Sequence, residues 1–144
     1  MLTTAVQHDL PVLANMLTSL FEATSCSLSD ESLNHLIQAL IIINTESLAL
    51  AMNNREPSLF AVAKLLETGL VNMSRVETWW VVVTSHLLED CSHPHIRMRE
   101  WSAEAVCVLI QVSTGLGSQV PDPAAVFSVG TISIPSPGHM GAVV

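Results

Sequence analysis

The chain has 144 residues, of which 49% are hydrophobic and only 12% charged, with 13 acidic residues against five basic ones and a formal net charge of −8. Ordinary globular domains carry about 25% charged residues, so surface charge is what is scarce and the faces of the fold should be sticky. Phosphate backbones and anionic lipids call for clustered Lys and Arg, which sets aside nucleic acid as a partner: Arg55, Lys64, Arg75, Arg97 and Arg99 are dispersed through the middle, and Asp9, Glu22, Asp30, Glu31 and Glu46 precede them unopposed.

Five helical segments follow in chain order. The first is entered at Asp9, an N-cap residue type, with Pro11 in its first turn, and places Leu13, Met16, Leu17, Leu20 and Phe21 on one stripe of a 3.6-residue period. The polar run Ser25 to Ser32 breaks the pattern, and Ser29 or Asp30 can cap the second helix. Leu33, Leu36, Ile37, Leu40 and Ile41 repeat the stripe there, and Ile41-Ile42-Ile43 reads as a helix end buried between neighbours. Asn44-Thr45-Glu46 is expected to restart or kink it toward Met52. The longest apolar run, Leu36 to Ile43, is broken by Gln38 and falls short of the roughly 20 residues a membrane span needs, so no transmembrane segment is expected. With no secretory leader pattern, and Cys26, Cys91 and Cys107 forming neither a paired framework nor a Cys-x-x-Cys, a reducing, cytosolic setting fits.

Pro57 suits the first position of a third helix with Leu59, Val62, Ala63, Leu66 and Leu70 inward. Gly69 inside it costs about 1 kcal/mol relative to Ala, a cost that a closely approaching neighbour would explain. Ser74 and Glu77 match the Ser-x-x-Glu capping box of a fourth helix, whose apolar positions are Val76, Trp79, Trp80, Val83, Leu87 and Leu88. Trp79 to Val83 alone would suit a strand, but the flanking period decides for helix. His93-Pro94 ends it, and a fifth helix aligns Met98, Trp101, Ala105, Val108, Leu109 and Val112. Phe60-Ala61-Val62 and Trp101-Ser102-Ala103 share an aromatic-small pattern at an offset of 41, within the roughly 40–47 residue period of HEAT and armadillo repeats.

From Ser113 the chemistry changes. Pro121, Pro123, Pro135 and Pro137 and five of the six glycines fall here, with Asp122 the sole charge, so disorder is expected. The alternation through Val126, Ser128, Gly130, Ile132 and Ile134 has no strand to pair with. The predicted organisation is therefore an all-α, HEAT/armadillo-like α-solenoid segment over residues 9–112 and a tail over 113–144. Such hairpins cannot bury their apolar faces alone and work by offering surface to other proteins. With roughly two and a half repeats, the chain should aggregate when expressed alone.

Candidate sites are few. His86, Cys91, His93 and His95 form the one ligand-like cluster, and two imidazoles with a thiolate would suit zinc. Against this, His93-Pro94-His95 diverge, no second Cys or His pair completes a known spacing, and a helix-corner role is preferred. Arg97 and Arg99 are either docking contacts for an acidic partner or bonded to a neighbouring hairpin or carbonyl, the second being preferred. Trp79, Trp80 and Trp101 would make a hot spot if exposed, but each fits an apolar stripe and at least two should be core. Ser85-His86 are adjacent, hence poorly placed as nucleophile and base, and neighbours Glu89-Asp90 do not face one site from a helix. No Gly-x-Ser-x-Gly, Gly-x-Gly-x-x-Gly, P-loop or His-Glu-x-x-His occurs, so neither an enzyme nor a cofactor is expected.

The sequence NNREPSLFAVAKLLETGLVNM from Asn53 to Met73, Arg75-Val76-Glu77, His86-Leu87-Leu88-Glu89 and HPHIRMREWSAEA from His93 to Ala105 resembles the Mon-two family of Golgi and endosome trafficking proteins. These are relatives of the large Sec-seven-type Arf exchange factors that lack the catalytic exchange domain. The resemblance covers roughly 100 residues and implies a small HEAT-like part of a much longer protein. It implies a scaffold in vesicle-mediated protein transport, cytoplasmic and peripheral to trans-Golgi network and endosome membranes, with Dopey-type proteins and Arf-like GTPases as partners. Trp80 to Val83 departs from the more polar interruption expected of the family, which should leave the fourth helix straighter. The tail has no resemblance to it, and Gln111-Val112-Ser113 is what an unspliced CAG-GTGAGT intron donor would encode.

Overall fold

A computed structural model describes residues 2–53 and 56–115. Its elements are α1 (Leu2–Ser25), α2 (Asp30–Ala51), α3 (Phe60–Val71), a 3₁₀ turn at Met73–Arg75, α4 (Val76–Asp90) and α5 (Ile96–Ser113). Every described element is helical, as the period predicts; the tail beyond Gly115, including the Val126 to Ile134 alternation, lies outside the described residues.

Helices α1, α3 and α5 pack side by side in one layer and α2 and α4 in the other, with α2–α3, α3–α4 and α4–α5 joining the layers. This arrangement is compatible with stacked solenoid hairpins. It makes α3 the central element, touching all four other helices. Its Ala61, Val62, Leu65, Leu66, Thr68, Gly69 and Leu70 are all buried, well beyond the single predicted stripe. The 41-residue offset marks no equivalent place, since Phe60 opens α3 while Trp101 lies more than a turn inside α5.

The core joins Leu33, Ile37 and Leu40 of α2 to Val62, Leu65 and Leu66 of α3, Trp79, Val83 and Leu87 of α4, and Met98, Ala105 and Leu109 of α5. Gly69 sits where the packing is closest. A Cβ there would lie 3.0 Å from Leu109 Cδ2 and 3.0 Å from Trp79 Cη2, both fully buried side chains. The close neighbour that a mid-helix glycine implies is therefore found on two helices.

Several boundaries differ from expectation. α1 begins at Leu2, so Asp9 and Pro11 lie inside it rather than at its entry. Its stripe is largely uncovered, with Leu13, Met16, Leu17 and Leu20 between 44% and 63% exposed, because α3 is the principal helix against it. α2 runs unbroken through Asn44-Thr45-Glu46: Asn44 is turned into the protein, and Thr45 Oγ1 donates to Ile41 O at 2.8 Å. Ile42 and Ile43 are exposed, since the inner line of α2 passes from Leu40 through Asn44, Ser47 and Ala51. Among the described helices α2 alone is long and apolar enough to cross a membrane, yet its inner line lies in the core.

Pro57 lies in the connection before α3, which starts at Phe60. Ser29 caps α2 as expected, accepting from Ser32 N at 3.2 Å. The capping box does not form: Ser74 is inside the 3₁₀ turn and α4 starts without a side-chain cap. Leu88 faces outward, about 100° around α4 from the buried Leu87.

Candidate functional site

Asn72, Arg75 and Trp79, in the turn before α4 and its first turns, assemble a corner that local patterns miss. Asn72 Nδ2 donates to Ser25 Oγ at 3.1 Å and Thr68 O at 2.9 Å. Its carbonyl accepts from Trp79 Nε1 at 2.9 Å. Arg75 donates to Asn72 Oδ1 through Nε and Nη2, to Ser25 O at 2.7 Å, to Leu28 O at 2.5 Å and to Asp30 Oδ1 at 3.1 Å. One guanidinium thus donates to the last carbonyl of α1 and to one in the turn after it, and ties the α1–α2 turn to the α3–α4 turn. This network outcompetes the Ser74–Glu77 box.

A second polar assembly lies between α2 and α4. Asn44, fully buried, directs Nδ2 to His86 Nε2 at 2.9 Å and to Asp90 Oδ2 at 2.5 Å. An amide NH₂ has two protons, one facing each of these neighbours. His86 Nε2 also stands 3.4 Å from Asp90 Oδ2, within ion-pair distance when the imidazole is protonated. Burial pushes the Asp90 carboxyl above its ordinary value of 3.8, against the opposing pull of His86 and the Asn44 hydrogen bond. Asn44 Oδ1 is buried without a partner.

Beside this assembly opens a cleft of about 320 Å³ lined by Thr45, Leu48, His86, Glu89, Asp90, Ser92, His93 and Pro94. It holds two of the four residues considered as zinc ligands. The structure does not bring the four together. His86 is held by Asn44; Cys91 Sγ bonds Leu87 O at 3.2 Å; His93 Nδ1 accepts from His95 N at 3.0 Å; and His95 Nδ1 caps α5 by accepting from Arg97 N at 3.3 Å. Among the described residues no group of three such side chains is placed to hold a metal ion. His93 and His95 sit at the helix corner, with His95 as the cap that the sequence reading did not assign. Burial, with Asp90 nearby, also raises the Cys91 thiol.

Comparison with known proteins decides the family. The chain is 55% identical over 121 residues to the human "Protein MON2 homolog", which is 83% of this chain and 7% of that protein. It is 54% identical over 118 residues to the Drosophila melanogaster protein of that name and 58% identical over 111 residues to the Xenopus laevis one, covering 82% and 76% of this chain and 7% and 6% of theirs. The chain belongs to the Mon-two family. It spans about 7% of the length of the curated relatives it matches. No protein-family model and no solved structure matches it.

In this member of the Mon-two family the remaining candidate residues make contacts within the chain. Arg99 Nη1 donates to His93 O at 3.0 Å and Pro94 O at 2.9 Å, closing the corner, and Arg97 reaches Glu56 at 3.8 Å across exposed surface. Trp79 is fully buried, with Trp80 and Trp101 half-buried against the core. The Trp79 and Trp80 rings are 5.7 Å apart and tilted by 52°. They form no exposed hot spot. Lys64 and Glu67 of α3 pair at 2.6 Å while buried, and Lys64 Nζ stands 5.5 Å over the Phe21 ring.

Proposed function

We propose that the chain is a non-enzymatic scaffold segment that acts by protein–protein contact in vesicle-mediated transport between Golgi and endosomes. The observation that carries this reading is its membership of the Mon-two family at 54–58% identity. Supporting it, the two-layer stack leaves the apolar stripe of α1 open to a partner. The segment acts on the cytosolic face, peripheral to trans-Golgi network and endosome membranes, reached through partners such as Dopey-type proteins and Arf-like GTPases.

Excising the stretch equivalent to residues 2–115 from a full-length relative tests this reading. Retrieval of an endosome-to-Golgi cargo and co-purification of a Dopey-type protein or Arf-like GTPase are expected to fall together. Normal retrieval and normal capture without the segment would refute it.

A further inference from the structure

The uncovered apolar flank of α1 is symmetric about its own middle. Leu13, Met16, Leu17 and Leu20 are all exposed, and their spacing of three, one and three residues reads the same in either chain direction. The centre falls between Met16 and Leu17. Beside them the small side chains of Ser19 and Ala23 leave a shallow hollow of about 540 Å³, bounded by Met16, Ser19, Leu20 and Ala23. Residues at i, i+3, i+4 and i+7 are the four that make the hole for a side chain of a facing helix. Charge is almost lacking here: among the described side chains of α1, Asp9 alone is ionic.

We infer that this flank docks the antiparallel α1 of a second copy of the chain, about a twofold axis between Met16 and Leu17. A twofold contact joins one patch to itself and so needs a self-complementary patch, which the symmetric spacing supplies. Antiparallel pairing about that axis sets Leu13 of the second copy level with Leu20, where it enters the hole bounded by Met16, Ser19, Leu20 and Ala23. It also sets Asp9 against the Thr24 hydroxyl, whereas parallel pairing would oppose Asp9 to Asp9. Over residues 8 to 25 the two helices overlap for about 27 Å, and if each shadows about a third of the other's circumference the pair buries roughly 800 Å². That is less than the roughly 1,200 Å² of a stable complex, so the dimer is weak and reversible. The net charge of −8 opposes any pairing of copies, and α1 brings together the face that carries least of it. The pairing does not depend on the transport role, which excision from a full-length relative tests separately.

Sedimentation equilibrium of the full 144-residue chain tests the pairing. The mean mass is expected to rise with concentration to twice 15.5 kDa and to stop there, and to rise more readily as salt screens the like charges. Leu13→Asn, which withdraws the side chain that fills the hole, should weaken the dimer at least about tenfold with helical circular dichroism unchanged. Met16→Cys should yield a dimer linked at position 16 under mild oxidation, because that position meets itself across the axis. The native, exposed Cys26 should not link to its counterpart, since antiparallel pairing holds the two roughly 28 Å apart along the helices. A mass that stays at the monomer, growth past the dimer, association that loosens with salt or is unchanged in Leu13→Asn, or a link between the two Cys26 residues would each overturn the proposal. Should Leu13→Asn unfold the chain, the position of the link in Met16→Cys decides alone.

Discussion

Helices α1 and α3 share a layer and a helical hydrophobic period, yet they end in opposite environments. α3 has neighbours on every side and buries even Lys64 and Glu67 as a pair, whereas α1 rests on α3 and leaves Leu13, Met16, Leu17 and Leu20 in the open. Period alone says which side of a helix is apolar. Whether that side is covered depends on its place in the stack, which is a property of topology.

The strongest way to break this contrast is to empty the packing against α3. Trp79→Ala deletes a fully buried indole from the α3–α4–α5 contact and leaves the Asn72 carbonyl with only the Arg75 N–H as donor. A loss of about 3–5 kcal/mol in chemical denaturation is expected. A loss below about 1 kcal/mol would mean that α3 is not the centre of the core.

Next comes the corner that holds the end of α1 to α3 and α4. Arg75→Ala removes bonds to two carbonyls and to Asn72 and is expected to cost about 2 kcal/mol. Asp30→Asn, which touches only the most exposed of Arg75's partners, should cost under about 1 kcal/mol. Equal losses would show that the ion pair, not carbonyl satisfaction, holds the corner.

Gly69→Ala then tests the sign of a competition within α3. Helix propensity favours alanine by about 1 kcal/mol, but the new methyl would meet Trp79 and Leu109 at 3.0 Å, and overpacking costs about 1–3 kcal/mol. Because both neighbours are fully buried and the indole is tethered to Asn72, a net loss of about 1 kcal/mol is expected. A gain would show that the layer has room to yield. The same site in an uncovered helix such as α1 would give the gain.

Much of this was legible in the residues. Leu33, Ile37 and Leu40, Trp79, Val83 and Leu87, and Met98, Ala105 and Leu109 are core where the period places them. What escaped was long-range. Asn44 stands on the same line of α2 as Leu33, Ile37 and Leu40, and Asp90 extends the line of Val83 and Leu87 on α4. Read strictly, the period puts both polar residues inside and obliges them to find partners. That they pair with each other across 46 residues is set by the packing of α2 on α4, which no local pattern encodes. The Ser74–Glu77 box failed for the same reason, since Arg75 is held by residues at the far end of α1.

The buried carboxyl gives a pH test of that α2–α4 contact. Asp90 is raised above its ordinary 3.8 in the folded state, so the folded protein holds that proton more tightly than the unfolded chain does. The stability this confers is fully present below pH 3.8 and is lost as pH rises through the folded value. Relative to Asp90→Asn, the native chain should therefore lose stability on going from acid toward neutral pH across that window. An opposite slope would mean that the carboxylate finds its cation within the chain.

The smallest effect on stability belongs to the open face. Met16→Gln and Leu20→Gln alter side chains that are 63% and 54% exposed, so each should change unfolding free energy by no more than about 0.5 kcal/mol. Their effect should appear in association instead. An uncovered apolar stripe on a chain with few surface charges drives self-association, and the double variant should remain monomeric at concentrations where the native chain sediments as larger species. If the variants unfold as readily as a core mutant, α1 is covered by contacts of its own and the asymmetry between the two helices disappears. If they fold normally yet associate as before, the adhesive surface lies elsewhere, and exposed Ile42, Ile43 and Leu50 on α2 become the face to change.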